Sequence, residues 1–199
     1  MNPITQLPMD LGIRLNQYSR EKQEILTARV QLETDEMVEA AVLVPLVFSD
    51  GEWQLLFQHR TSSVSTHKDQ VSFPGGASES DDLSPEFTAL REANEELGVP
   101  LEDVHIIGRL PVMKMFPFFQ VTPVVAWLDY KNEYSFSEDE VTRIFVVPLS
   151  WLGDPSNWYN LPILHNGVEV PVLHYKPYDG EVIWGSTAYL ARMVTRLVN

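Results

Sequence analysis

The sequence predicts an α/β fold, an α/β/α sandwich in which helices cover both faces of a central mixed β-sheet. Apolar segments of strand length recur along the chain, and helical patterns stand before, between and after them. The chain has 199 residues, of which 44% are hydrophobic, so it is long enough to bury one good core.

The N-terminal segment is predicted to be helical. Leu7, Leu11 and Leu15 recur at helical intervals, which indicates one or two amphipathic helices. We therefore expect a helical extension over residues 1–35 and a second part, residues 36–199, that contains the sheet.

The rest of the chain alternates strand and helix patterns. Strands are predicted at residues 37–48, 53–59, 104–110, 118–129, 142–147, 168–175 and 181–184. Asp50-Gly51 joins the first two, because this pair favours a tight hairpin turn. A short helix is predicted at residues 149–152, and a final helix, capped by Ser186, runs to about residue 197.

One further helix carries clear start and stop signals. Ser84 is predicted as its N-cap, Pro85 as its first residue and Glu86 as an acid in its first turn. Gly98 closes it. The helix therefore contains every carboxylate of the cluster described next.

Three glutamates crowd one sector of this helix. Glu95 and Glu96 lie three and four residues after Glu92, so the three project within one narrow sector and repel one another unless a cation lies among them. Oxygen-only ligands indicate Mg2+ or Mn2+ rather than zinc. Arg91 is placed to pair with Glu95 at i+4, which would leave Glu92 and Glu96 free for metal.

Glutamate-rich turns also occur on solvated helix faces, where they keep a protein soluble. The residues that flank this glutamate-rich turn favour a metal site instead. A Gly75-Gly76 pair preceded by Phe73-Pro74, and then an acidic loop, lead into the helix.

Composition excludes several classes of function. A net charge of −14 disfavours nucleic-acid polymers and anionic membranes as partners. The absence of cysteine rules out disulfides and cysteine nucleophiles. No apolar run is long enough to cross a bilayer, and the N-terminus lacks the pattern of a secretion signal, so we expect a cytoplasmic protein.

The glycine loop and the helix together resemble the box of the Nudix hydrolases. That box reads Gly, five residues, Glu, seven residues, then Arg-Glu-hydrophobic-x-Glu-Glu-x-Gly-hydrophobic. Here Gly76 is followed by five residues, then Asp82, then eight residues before Arg91 to Val99. The chain thus has Asp for Glu at the upstream acid and one extra residue before the arginine.

Within that family the chain looks like the coenzyme A pyrophosphatase branch. The resemblance rests on the Phe73 to Gly76 loop, on Asp82 and on the Thr88 to Ala93 string. It continues through Gln120–Val125, Glu138–Val141, Val147–Leu149 and Ile183–Ala188, and covers the chain from about residue 38. Upstream, the branch pattern is matched at Leu56, Arg60, Val64, His67 and Val71, but Ser65 and Asp69 stand where arginine and glycine are usual.

The resemblance implies hydrolysis of a phosphoanhydride bond with a divalent metal. Coenzyme A or an acyl derivative would yield 4'-phosphopantetheine, or its acylated form, and adenosine 3',5'-bisphosphate. Glu92 and Glu96 are the expected metal ligands, with Glu95 bound or orienting, and the Gly76 carbonyl is a family-implied further ligand. Glu140 is the expected general base by position, with a glutamate inside the box as its rival.

The remaining expected site residues are acids of the loop and cations for phosphate. Arg91 is included as a catalytic-site residue, while Asp82 and Glu79 are expected to cap the helix or touch metal through water. The expected phosphate-binding residues are Arg60, His67, Lys68 and Lys114, each of which could equally serve surface solvation.

Two alternatives stay open at this point. Ser65, where arginine is usual, favours another nucleoside diphosphate derivative such as ADP-ribose, NADH or a dinucleotide. A non-catalytic nucleotide sensor is disfavoured because Glu92, Glu95 and Glu96 are all present. A homodimer is expected from family habit and from the apolar face of the N-terminal helix.

Overall fold

The computed structural model describes residues 3–29, 37–62, 69–115, 119–129, 134–165 and 168–198. Their helices and strands are α1 Pro3–Arg29, β1 Val38–Ser49, β2 Glu52–Arg60, β3 Val71–Ser72, β4 Gly75–Ala77, α2 Pro85–Leu97, β5 Val104–Arg109, β6 Met113–Met115, β7 Phe119–Leu128, β8 Val141–Pro148, α3 Leu149–Gly153, β9 Trp158–His165, β10 Val168–Tyr175 and α4 Gly185–Val198.

Within these residues, β1 to β8 form one mixed sheet with the main order β3-β2-β1-β7-β5. β1 and β7 pair in parallel at its centre, and the other pairings are antiparallel. β4 adds to β1, β6 to β7 and β8 to β2. The β1–β2 turn is the predicted Asp50-Gly51, and both residues have positive φ, 53° and 84°, as a tight hairpin turn requires.

Helices cover both faces of the sheet, which confirms the predicted α/β/α sandwich. Along β1 the side chains alternate: Ala41 and Leu43 pack in a core cluster with α2, whereas Val44 and Leu46 pack in a second cluster with α1 and α4. The sheet therefore separates a face that carries the glutamate helix α2 from a face that carries the two terminal helices.

The N-terminal helix is packed into the second of these clusters. Leu11 and Leu15 are each 1% exposed and contact the core formed with α4. The apolar face of α1, from which a homodimer was expected, is thus covered within the chain. No described helix is long and apolar enough to cross a membrane.

In the C-terminal third, α3, β10 and α4 lie where they are predicted, but the structure differs from the prediction at three points. Residues 158–165 form β9, which pairs with β10 as a separate hairpin, although Asn160 and Pro162 weaken the strand pattern. The strand predicted at residues 181–184 is wrong, because only isolated bridges at Glu181 and Trp184 occur there. Ser186 is not an N-cap, since α4 already begins at Gly185.

Candidate active site

The glycine loop lies directly against the glutamate helix. β4 pairs with β1, so that Gly76 lies beside Ala41. A Cβ on Gly76 would be 2.4 Å from Oε1 of Glu92. Only glycine lets this carboxylate approach the loop backbone so closely, which explains the glycine at this position.

Glu96 is buried at the other side of the loop, with 2% of its surface exposed. Its carboxylate accepts hydrogen bonds from Gln58 Nε2 at 2.8 Å, from the Gly75 backbone N–H at 2.9 Å and from Arg60 Nη1. Burial raises the pKa of Glu96, and the Arg60 charge opposes that rise. The expectation that Glu96 is free is therefore wrong for this structure.

Arg91 is the central cation of the cluster. Its Nη1 donates to Glu92 Oε1 at 2.9 Å and to Glu95 Oε2 at 3.0 Å, so the predicted i+4 pair with Glu95 is present. Its Nη2 donates to the carbonyl of Ala77 at 3.0 Å. Glu92, like Glu96, is therefore held by an arginine rather than left free. Arg91 orients two carboxylates and the loop at once.

Asp82 is the outer partner of Arg91. Its Oδ1 accepts from Nε at 3.3 Å and its Oδ2 from Nη2 at 2.9 Å, which is the two-pronged geometry of a strong pair. The hydrogen bond from Arg91 lowers the pKa of Asp82 to about 2. Asp82 and Glu79 therefore contact Arg91 rather than cap α2, Glu79 with its Oε1 at 3.8 Å from Arg91 Nη1. The alternative expectation, that these acids touch metal through water, stays a prediction.

The acidic turn before β8 brings Glu140 to the cluster. The Ser137 N–H donates to the Glu96 carbonyl at 2.9 Å, and the Thr61 N–H donates to the Glu140 carbonyl at 2.8 Å. Glu140 Oε2 consequently lies 3.9 Å from Arg60 Nη2. Arg60 therefore bridges two acids in this structure, and the expected base lies beside the expected metal ligand.

Lys114 lies on the face of the sheet that carries α2. It pairs with Gln120 on β7, and Gln120 pairs with Glu39 on β1. Glu39 shares its face with Ala41, the partner of Gly76, because side chains two apart on a strand point the same way.

Gln120 and Glu39 are thus site-facing residues that the sequence prediction did not include. The available signal was Gln120 itself, a polar residue near the start of a mostly apolar strand. The other two predicted cations, His67 and Lys68, lie outside the described residues.

The donor set fits a hard divalent cation. In the described part of the cluster, six carboxylates lie within ion-pair distance of only two guanidinium groups: Glu79, Asp82, Glu92 and Glu95 around Arg91, and Glu96 and Glu140 around Arg60. All these donors are oxygens, which favours Mg2+-like ions.

Burial raises the pKa of Glu92, and the charges of Glu96 and Glu95 raise it further. The cluster is therefore short of positive charge. Among the described residues, no three acidic or histidine side chains converge on one point, because the two arginines engage them instead.

Comparison with known proteins gives consistent results. Residues 37–161 match the NUDIX domain family. A protein of Yersinia enterocolitica named "Uncharacterized Nudix hydrolase NudL" is 38% identical over 160 residues, which cover 80% of this chain and 81% of that protein. A protein of the same name from an Enterobacter species is 42% identical over 154 residues, 77% of this chain and 79% of the relative.

Among solved structures, a MutT/nudix family protein from Enterococcus faecalis has the same fold. Its TM-score is 0.56 at 13% identity, and the match covers 88% of this chain and 66% of that one.

Proposed function

The chain belongs to the Nudix hydrolase family, and we propose that it hydrolyses the pyrophosphate bond of coenzyme A or an acyl-coenzyme A. The broader activity, pyrophosphohydrolysis of a nucleoside diphosphate derivative, follows from membership of the family. The observation that carries the proposal is the cluster of Glu92, Glu95 and Glu96 beside Gly76. These carboxylates can hold a divalent cation, and a pyrophosphate needs its negative charge neutralised by such a cation before water can attack it.

The altered box supports the coenzyme A branch. The aspartate side chain is shorter than glutamate, and the segment between Asp82 and Arg91 is one residue longer than usual. Asp82 nevertheless engages both Nε and Nη2 of Arg91, so the two changes are compatible with an intact box. This geometry supports the interpretation that the Asp82 form of the box is a working variant.

The proposed cofactor is Mg2+ or Mn2+, held by Glu92, Glu95 and Glu96 with the Gly76 carbonyl. When bound, such an ion neutralises the pyrophosphate charge and makes water more acidic. Arg91 fixes Glu92 and Glu95 on the loop side of the helix, which reduces the reorganisation needed on binding.

Glu140 is the proposed general base. Its side chain is 45% exposed, so water reaches it, and it lies beside the Arg60–Glu96 pair. Water would attack one phosphorus and break its bond to the bridging oxygen. Glu140 would take the proton of that water, and two phosphomonoesters would leave.

Cations from two directions are proposed to hold the substrate. Arg60 is 15% exposed at the cluster, and Lys114 is exposed on the same face of the sheet. His67 and Lys68 stay predictions, as do a homodimer and a cytoplasmic location. Arg60 would have to exchange its contact with Glu96 or Glu140 for a substrate phosphate.

A substrate panel tests the proposal. Purified protein with Mg2+ or Mn2+ is given coenzyme A, ADP-ribose, NADH and diadenosine polyphosphates, and the products are resolved by chromatography. We expect adenosine 3',5'-bisphosphate from coenzyme A at the highest kcat/KM. Faster cleavage of ADP-ribose would contradict the substrate assignment, and no turnover of any compound would favour the nucleotide sensor.

A further inference from the structure

A groove separates helix α4 from the β9–β10 hairpin, on the face of the sheet opposite to the glutamate helix. Its cavity measures about 520 Å³. The hairpin contributes Trp158 and Leu173, and α4 contributes Tyr189, Arg192 and Arg196. The α4 residues recur at steps of three and four, so they form one stripe facing the hairpin. We call this space the α4 groove.

Arg192 is held in the groove without a carboxylate. Its guanidinium carbon lies 3.4 Å from the centroid of the Trp158 ring. Stacking on this ring holds the cation in place and leaves its N–H donors available.

Arg196 adds a second positive charge one helical turn away. Among the described residues, neither Arg192 nor Arg196 lies within ion-pair distance of an acid. No acidic residue lines the described cavity either. In a chain of net charge −14, two neighbouring arginines without acids form a local positive site.

The groove also has an apolar wall. This wall is formed by Leu173 and Met193, while Tyr189 is 48% exposed at the rim. Cations and apolar surface therefore meet in one cavity.

We propose that the α4 groove binds a phosphate monoester with an aromatic or apolar body, such as a mononucleotide, at a site separate from the hydrolytic centre. Guanidinium groups bind phosphate oxygens in a two-pronged geometry. Arg192 and Arg196 would take the phosphate, and Tyr189 would pack against the body. The groove lies on the opposite face of the sheet from α2. The binding proposal therefore does not rest on the proposed hydrolytic activity.

Calorimetric titration of the protein in EDTA tests this, with AMP, adenosine and inorganic phosphate as separate probes. We expect AMP to bind, and adenosine and inorganic phosphate to bind at least about tenfold more weakly. Adenosine lacks the phosphate that the arginines would bind, and inorganic phosphate lacks the aromatic body that Tyr189 would pack against. Arg196→Gln should weaken AMP about tenfold through the lost charge-assisted contact. Lys176→Gln removes one positive charge outside the groove and should change nothing.

Tyr189→Ala provides a second, exposed variant that leaves the Arg192–Trp158 contact in place. It should weaken AMP but not inorganic phosphate. Coenzyme A hydrolysis without AMP should be unchanged in Arg196→Gln. AMP affinity that is equal in wild type, Arg196→Gln and Tyr189→Ala would overturn the proposal, as would the absence of AMP binding at millimolar concentration.

Discussion

Arg60 on β2 donates a hydrogen bond through Nη1 to the buried carboxylate of Glu96 on α2. The same guanidinium lies 3.9 Å from Glu140 through Nη2. One arginine thus neutralises both the proposed metal ligand and the proposed base. A metal ion would compete with Arg60 for the carboxylates of Glu96 and Glu140, and a substrate phosphate would compete with those carboxylates for Arg60. A substitution of Arg60 therefore tests substrate binding directly.

Arg60→Gln should raise KM for coenzyme A about tenfold, because a charge-assisted hydrogen bond to phosphate is lost. The effect on kcat should be smaller. Steady-state kinetics measures both, with Arg143→Gln as a control, since Arg143 pairs with Asp179 and Glu181 away from α2. A lower Tm with an unchanged KM would mean that Arg60 only neutralises Glu96.

Gly76→Ala should lower kcat by about ten- to a hundredfold, because the new Cβ would displace the Glu92 carboxylate. Gly12→Ala is the matched control: its Cβ would meet its nearest neighbour at 3.5 Å, an ordinary contact. Kinetics and thermal melts of both variants check this. Full activity in Gly76→Ala would show that the position of Glu92 is unimportant.

Asp82→Asn should lower the Tm at pH 7 by an amount that disappears in acid. The pKa of Asp82 is about 2 in the folded protein, below the ~3.9 of an unfolded aspartate. Its stabilisation is therefore present above about pH 4 and is lost as the pH falls towards 2. Thermal melts from pH 7 to 2 measure the difference.

The neighbouring Asp81 is exposed and makes no ion pair among the described residues, so Asp81→Asn is the control. A Tm difference between wild type and Asp82→Asn that is constant from pH 7 to 2 would contradict the assigned Arg91 pair.

Glu140→Gln should lower kcat at least about a hundredfold, because an amide cannot take the proton of the attacking water. Glu138→Gln, two residues away and exposed, should remain active. If the Glu140 variant kept the wild-type kcat, the base would have to be one of the helix glutamates.

The sequence predicted the elements whose signals are local. Pro85 and Gly98 bound the glutamate helix, and the Asp50-Gly51 turn fixed the first hairpin. β9 was missed because its Pro162 lowers strand propensity, and its pairing with β10 decides its conformation.

The contacts inside the site could not be predicted in the same way. Arg60 and Glu96 are 36 residues apart, and only the tertiary fold brings β2 against the end of α2. The expectation of free carboxylates neglected how costly unpaired buried charges are. In the described structure the two arginines satisfy them. The pairing of Asp82 with Arg91 was likewise missed, because Asp82 lies in the loop before α2 and the helical repeat that predicts i+4 pairs does not extend to it.

The central claim is that the helix carboxylates hold a catalytic divalent cation, and kcat of Glu96→Gln for Mg2+-dependent coenzyme A hydrolysis tests it most directly. Gln keeps the shape but removes the charge, so kcat should fall at least about a hundredfold. Burial raises the pKa of Glu96, so the neutral side chain removes a folding cost that offsets the lost Arg60 pair, and the Tm should change little. Glu102→Gln, on an exposed residue, is the control. A Glu96→Gln protein with near-normal kcat would contradict the account.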